Sequence, residues 1–396
     1  MTLFAKKRIY LDYAASAPVC KEARTAFLTA STLYGNPSSP HEEGRVAKEA
    51  LLKARSTIAT YAGVKARNVI FTSGATEANN LAIRGFVQNK IAQGTSGAAL
   101  HVLYLPSAHA SLVSSVESLA TLGVVVEPIP LANGILDLVA LEKLLRPETV
   151  LVCVDAVCGE TGTRFDVRGV RKVLDTRPQP ISLHVDGSQL PLVESYDRLR
   201  LSADTLTLDA QKVGGVRGIG ALIVGDPTHL SPSMYGGGQE EGLRPGTEAV
   251  ALAASFAAAL STAAQEREAF VARAEHMRRE LVETVLTNLP QVSVLESKKM
   301  APHIVNLSCK GLDTDYGVML LDAKGFSVST KSACETENKG SRAVALLTGD
   351  IERSLSTLRV SWGHETTPKE LRAFTTALIE TIQYLEHQKN LLVVGS

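Results

Sequence analysis

The strongest constraint on this chain is an alternation. Short apolar runs recur along its first half: "NVIFT" (68 to 72), "HVLYL" (101 to 105), "TVLVCV" (149 to 154), "ISLHVD" (181 to 186), "TLTL" (205 to 208) and "IGALIV" (219 to 224). Helical patterns separate most of them. Short apolar runs interleaved with helices are the mark of βαβ units, so an α/β core with a mixed or mostly parallel, helix-flanked sheet is expected. From about residue 256 the texture changes. A long charged helix, "AAQEREAFVARAEHMRRELVETVLTNL", leads to "PHIVNLS", "FSVSTKSAC", "TLRVSWG" and a final helix. A chain of 396 residues has room for two to three domains at roughly 150 residues each. The expected division is a large α/β unit over 15–255 and a smaller α+β unit built from 1–14 and 256–396.

Charge and cysteine usage narrow the function classes. Lysine plus arginine (41) equal aspartate plus glutamate (41), so no overall field draws the chain to nucleic acid or to an anionic membrane. Five cysteines without a C-x-x-C pair argue against a disulfide framework or a structural zinc site, and for a reducing, cytoplasmic setting. The opening "MTLFAKKRIYLDYAAS" lacks an apolar signal region, and the apolar stretch 249–264 is too short to span a bilayer. No membrane role, no metal and no nucleic-acid partner is expected. A small neutral or zwitterionic substrate fits better.

In open α/β sheets ligands gather beyond the carboxyl ends of the strands, so the polar residues that follow each apolar run are the ones to collect. After "NVIFT" comes "SGATEANNLAI", a glycine turn entering a helix whose free N–H groups can hold a phosphate. A plain N-capped helix would read the same way. After "ISLHVD" comes "GSQ", which sets Asp186 and Gln189 at a second strand end. Lys212 follows the next strand, inside "TLTLDAQKVGGVRGIGALIV". A phosphate cradle, a carboxylate able to keep a ring nitrogen protonated and an amine able to bond an aldehyde are together the needs of a pyridoxal phosphate site. "GGVRGIG" lacks the order of a dinucleotide fingerprint and precedes a strand, and neither a P-loop nor an H-E-x-x-H motif occurs.

Nearly the whole chain carries further blocks in order: "IYLDYAASAPV", "YGNPSSPH", "IFTSGATEANNLAI", "HVDGSQ", "KVGGVRGIGAL", "YGGGQEEGLRPGTE", "STKSAC" and "TLRVSWG". With these it resembles the cysteine desulfurases, class-V aminotransferase-like pyridoxal phosphate enzymes of fold-type I. The resemblance implies roles. Lys212 would anchor the cofactor, Asp186 would pair with its ring nitrogen, and Gln189 would meet its ring hydroxyl. Ala75 and Thr76 would belong to the phosphate cradle, with Gln211 a further donor, and His109 would stack on the ring and move protons. Thr247 matches a threonine that reaches the phosphate of the neighbouring subunit, which implies a homodimer. Asn36 and Arg359 match positions that hold the amino acid substrate, Arg359 by a carboxylate contact.

Cys334 is the implied nucleophile. It stands in the polar loop "STKSACETENKGS", where exposure and Lys331 favour the thiolate while Glu335 and Glu337 oppose it. Cys20, Cys153, Cys158 and Cys309 lie in or beside apolar runs and read as packing residues. The reaction implied is conversion of L-cysteine to L-alanine with a persulfide on Cys334, the sulfur passing to an acceptor protein for iron–sulfur cluster assembly or another thiolation pathway.

Some positions depart from that family's pattern. A serine and a histidine that contact the phosphate are replaced by Asp209 and Gln211. An ionised Asp209 near a phosphate must point away, be protonated or weaken binding. Cys158 and Gly159 replace paired asparagines before Glu160, Glu241 stands where a basic residue is usual, and Lys331 where a small one is. Two other readings stay open: a lyase or aminotransferase of the same fold acting on another amino acid, and a catalytically weak paralogue serving as a sulfur-transfer scaffold subunit.

Overall fold

The structure is a computed structural model that describes residues 8–330 and 340–394. Its centre is a seven-stranded sheet: β1 (Val69–Thr72), β2 (His101–Tyr104), β3 (Val125–Pro128), β4 (Thr149–Asp155), β5 (Ser182–Asp186), β6 (Thr205–Asp209) and β7 (Gly220–Val224). In space the order is β1-β7-β6-β5-β4-β2-β3, with β7 antiparallel to both neighbours and every other pair parallel. The central strands are buried almost throughout, as a parallel sheet covered by helices on both faces requires. All six apolar runs read from the sequence are strands. β3 is the added one: it is a half-exposed edge strand whose short run of valines, 124–126, was passed over in the sequence reading.

Helix α1 (Ala75–Ala92) follows β1 through Gly74, whose φ of 155° bends the chain so that the first turn of α1 lies at the carboxyl edge of the sheet. Helix α2 (Val250–Asn288) runs unbroken for 39 residues. The apolar stretch 249–264 is therefore its amino-terminal part, and the helix begins earlier than its charge pattern indicated. Ser255 of α2 accepts from the Val216 amide in the loop after Lys212, and Arg278, near its other end, donates to the Ile304 carbonyl. The helix thus joins the lysine loop to a small antiparallel sheet of Ser293–Val294, Ile304–Ser308 and Thr357–Ser361. Helix α3 (Pro368–Val394) packs against α2, with Arg372 paired to Glu280 at 3.2 Å.

Near the amino terminus, Ile9–Tyr10 pairs in parallel with Phe326–Ser327, and Asp12 bridges to Ser361. These pairings support the division we propose, 15–255 against 1–14 with 256–396, although α2 has no break at residue 256. Among the described residues, no helix is long and apolar enough to cross a membrane.

Candidate active site

The three neighbouring strands β4, β5 and β6 each end on an aspartate: Asp155, Asp186 and Asp209. The parallel register sets Asp155 beside Asp186. These carboxyl groups line a cavity of about 230 Å³, together with Ala75, Thr76, His109, Gln189, Gln211, Lys212 and Arg359. Residues scattered over the sequence from 75 to 359 thus converge at the carboxyl edge of the sheet.

Lys212 is held with its Nζ donating to the Ala14 and Ala15 carbonyls, at 2.9 and 2.7 Å. Burial pushes its pKa down, against the attraction of Asp209. Asp186, 5% exposed, accepts from Asn79 Nδ2 at 2.8 Å and from the Ser188 amide and hydroxyl at 2.9 and 2.6 Å. An ionised carboxylate has about four acceptor positions, so one remains for a donor in the cavity. Asn79 is itself fixed by His184, whose Nε2 lies 3.1 Å from Asn79 Oδ1. That oxygen only accepts, so His184 carries its proton on Nε2. Burial lowers the His184 pKa to about 4, leaving the ring neutral.

His109 caps the helix Ala110–Glu117, its Nδ1 accepting from the Ser111 amide at 3.2 Å. The neutral ring therefore holds its proton on Nε2, and burial depresses its pKa. Gln189 donates through Nε2 to the Ala14 carbonyl at 2.9 Å. Arg359, 3% exposed, binds Asp12 at 2.7 Å and the Gly159 carbonyl at 3.1 Å, while its Nε has no hydrogen-bond partner among the described residues. Buried arginine N–H groups without a partner are costly.

Not every expected residue meets in the cavity. Asn36 stands elsewhere, its Oδ1 accepting from the Ser38 amide at 2.9 Å in a turn. Together with Thr247 it lines a separate surface hollow. Within one chain neither lines the cavity. Cys334 and Lys331 lie outside the described residues. Asp209 does not point away. Its Oδ2 accepts from the Ala75 amide at the head of α1, at 3.2 Å, and its Oδ1 from the Gln211 amide at 3.0 Å.

Several participants escaped the sequence reading. Asn79 sits one helical turn after Ala75, a polar residue on an otherwise buried face, which was the available signal. Asp155 is buried with Oδ1 unpartnered among the described residues, and burial, reinforced by Asp186, raises its pKa to about 8. It is the same strand-end aspartate pattern that marked Asp186. Cys158 proves to be a wall of the cavity as well as a packing residue. Burial drives its thiol up to about 12, so it stays protonated and inert.

This geometry has counterparts. The aminotransferase class-V family profile matches residues 9–374. Cysteine desulfurase IscS 1 of Archaeoglobus fulgidus is 31% identical over 379 residues, which cover 95% of this chain and 97% of that protein. Among solved structures, a NifS-like protein superposes with a TM-score of 0.88 at 25% identity, over 96% of this chain and 100% of its own. SspA in complex with cysteine does so at 0.76 and 27%, over 89% and 98%. With a profile match spanning the strands, the lysine loop and the small sheet alike, the chain belongs to the aminotransferase class-V family, on its cysteine desulfurase branch.

Proposed function

We propose that this chain is a pyridoxal phosphate-dependent cysteine desulfurase, a homodimer that takes the sulfur of L-cysteine onto Cys334 and releases L-alanine. The observation that carries the reading is a buried amine, Lys212, sharing one cavity with the strand-end carboxylate of Asp186 and the half-satisfied guanidinium of Arg359. The fit to the cofactor is good at its ring end. Asp186 has an acceptor position to spare for a ring N–H, and Gln189 lines the same wall. At the phosphate end the fit is contested, because the Asp209 carboxylate already takes the Ala75 amide.

When bound, pyridoxal phosphate supplies an aldehyde that bonds amines and a ring that accepts the electron pair released at the substrate's α-carbon. The chain's residues do the rest. Desolvation keeps more of the Lys212 amine uncharged, so it can bond an aldehyde and later carry a proton at Nζ. His109, neutral with its proton on Nε2, lines the cavity and can offer that N–H as a hydrogen-bond donor to a bound group. Arg359 orients the substrate carboxylate through its guanidinium, which lines the cavity. The Cys334 thiolate attacks the substrate sulfur: the carbon–sulfur bond breaks, a sulfur–sulfur bond forms, and the carbon gains a proton. The persulfide then passes to an acceptor protein, for iron–sulfur cluster assembly or another thiolation pathway.

Cys20, Cys153, Cys158 and Cys309 are free thiols, which supports a cytoplasmic setting. The hollow that Asn36 shares with Thr247 and the 84%-exposed Tyr34 supports a second copy as its occupant. The contested phosphate end favours one other reading, a weak paralogue acting as a sulfur-transfer scaffold. One experiment decides among these. Borohydride reduction of cofactor-loaded protein should label Lys212, and Cys334→Ser should keep that label while losing persulfide and sulfide release. A label on another lysine removes the assignment, and undiminished alanine and sulfide from Cys334→Ser removes the desulfurase.

A further inference from the structure

The position a phosphate would take at the head of α1 is filled by a side chain. α1 is 18 residues long, so its first turn is a strong anion seat. Its first amide, on Ala75, donates to Asp209 Oδ2 at 3.2 Å. The Gln211 side-chain amide, the other donor on this side, faces the same oxygen at 3.4 Å, and the Gln211 backbone amide meets Oδ1 at 3.0 Å. The carboxylate also lies against the bend before the helix, since a side-chain carbon built on Gly74 would stand 3.7 Å from Oδ2. Nor can Asp209 withdraw easily. It is 6% exposed and is the last residue of β6, paired with Gly220 of β7. A carboxylate and a phosphate accept hydrogen bonds from the same donors and repel each other, so the two compete for one place.

We propose that Asp209 is a built-in competitor for the phosphate seat, so that the chain takes up the phosphate of a pyridoxal cofactor only by displacing its own carboxylate, and holds that cofactor reversibly. The inference rests on the pyridoxal phosphate reading and sharpens it: this site discriminates poorly between pyridoxal phosphate and pyridoxal, which lacks the phosphate. Asp209 has a second effect, because its charge favours the protonated Lys212 amine. That effect falls equally on both aldehydes. The ratio of the two affinities therefore isolates the seat.

The test uses full-length apoprotein, with equilibrium dialysis against pyridoxal phosphate and against pyridoxal. Asp209→Asn keeps an acceptor for the Gln211 amide and so preserves the local turn; Asp209→Ser is the smaller second variant. Both should raise the preference for pyridoxal phosphate over pyridoxal by about tenfold, the equivalent of one pKa unit of like-charge interaction. Inorganic phosphate, as a separate probe, should compete with pyridoxal phosphate more effectively in the variants than in the parent. An unchanged ratio overturns the proposal alone, including the case in which both aldehydes tighten together and the effect runs through Lys212. Failure of the parent and both variants to bind either aldehyde overturns the cofactor reading, and the seat with it.

Discussion

Lys212 and Asp186 stand in one cavity yet meet the loss of water differently. The lysine is desolvated and answers by weakening its charge, whereas Asp186 is desolvated and keeps three donors. A carboxylate so supplied holds a cationic ring nitrogen in its charged form. Asp186→Asn should therefore fold normally, since an amide oxygen still accepts from Ser188, and lose alanine production by at least ~100-fold, in the range of a lost acid–base partner. Steady-state assays beside circular dichroism check this, and unchanged kinetics would take Asp186 out of the chemistry. Residues of this kind were legible because a polar side chain at the end of an apolar run has one place to be. Asn79 was not, because its value lies in touching both His184 and Asp186 across two elements. The inertness of Cys158 was equally invisible, being a property of burial and not of type.

At the level of elements, the strand Ile304–Ser308 is entered by His303, which is fully buried against Phe270 of α2 with neither ring nitrogen hydrogen-bonded among the described residues. Burial, aided by His364 and Arg278, depresses its pKa to about 3, below its ordinary 6.5. In the unfolded chain the ring takes up a proton as pH falls through 6.5, while in the folded chain it does not until about 3. Stability is thus lost on acidification across that window, by about 1.4 kcal/mol per pH unit. His303→Leu should be at least as stable as the parent at pH 7, and its advantage should widen steadily as pH is lowered to 4. Denaturant melts at several pH values measure this; a constant difference would mean that the ring titrates normally. The elements themselves were read from apolar runs, and β3 was passed over because its run, the three valines at 124–126, is short and is cut by Glu127 and Pro128. Its half-exposed residues mark an edge strand, and its pairing with β2 reveals it. The start of α2 escaped for the opposite reason, its first turns being too apolar to carry a helical stripe.

For the whole molecule, Asn36 and Thr247 were legible as residue types and illegible as positions, because in the dimer we propose their place is defined by a second copy that one sequence does not display. The hollow they line presents Tyr34 at 84% exposure. Light scattering should find a dimer, and Tyr34→Asp, which sets a charge on that face, should shift it toward monomer and lower cofactor affinity together; a dimer undisturbed by the change would place the interface elsewhere. The ends of the chain add a different constraint. Asp12 and Arg359, bonded to each other, are 347 residues apart, and Ile9–Tyr10 waits for Phe326–Ser327. At ~5–20 residues per second of synthesis, that separation is a delay of roughly 20–70 s. A ribosome stalled before Arg359 would present a nearly finished sheet and a Lys212 able to bond aldehydes, but no anchor for a substrate carboxylate, so in the nascent chain the capacity to bind an aldehyde precedes the capacity to choose an amino acid.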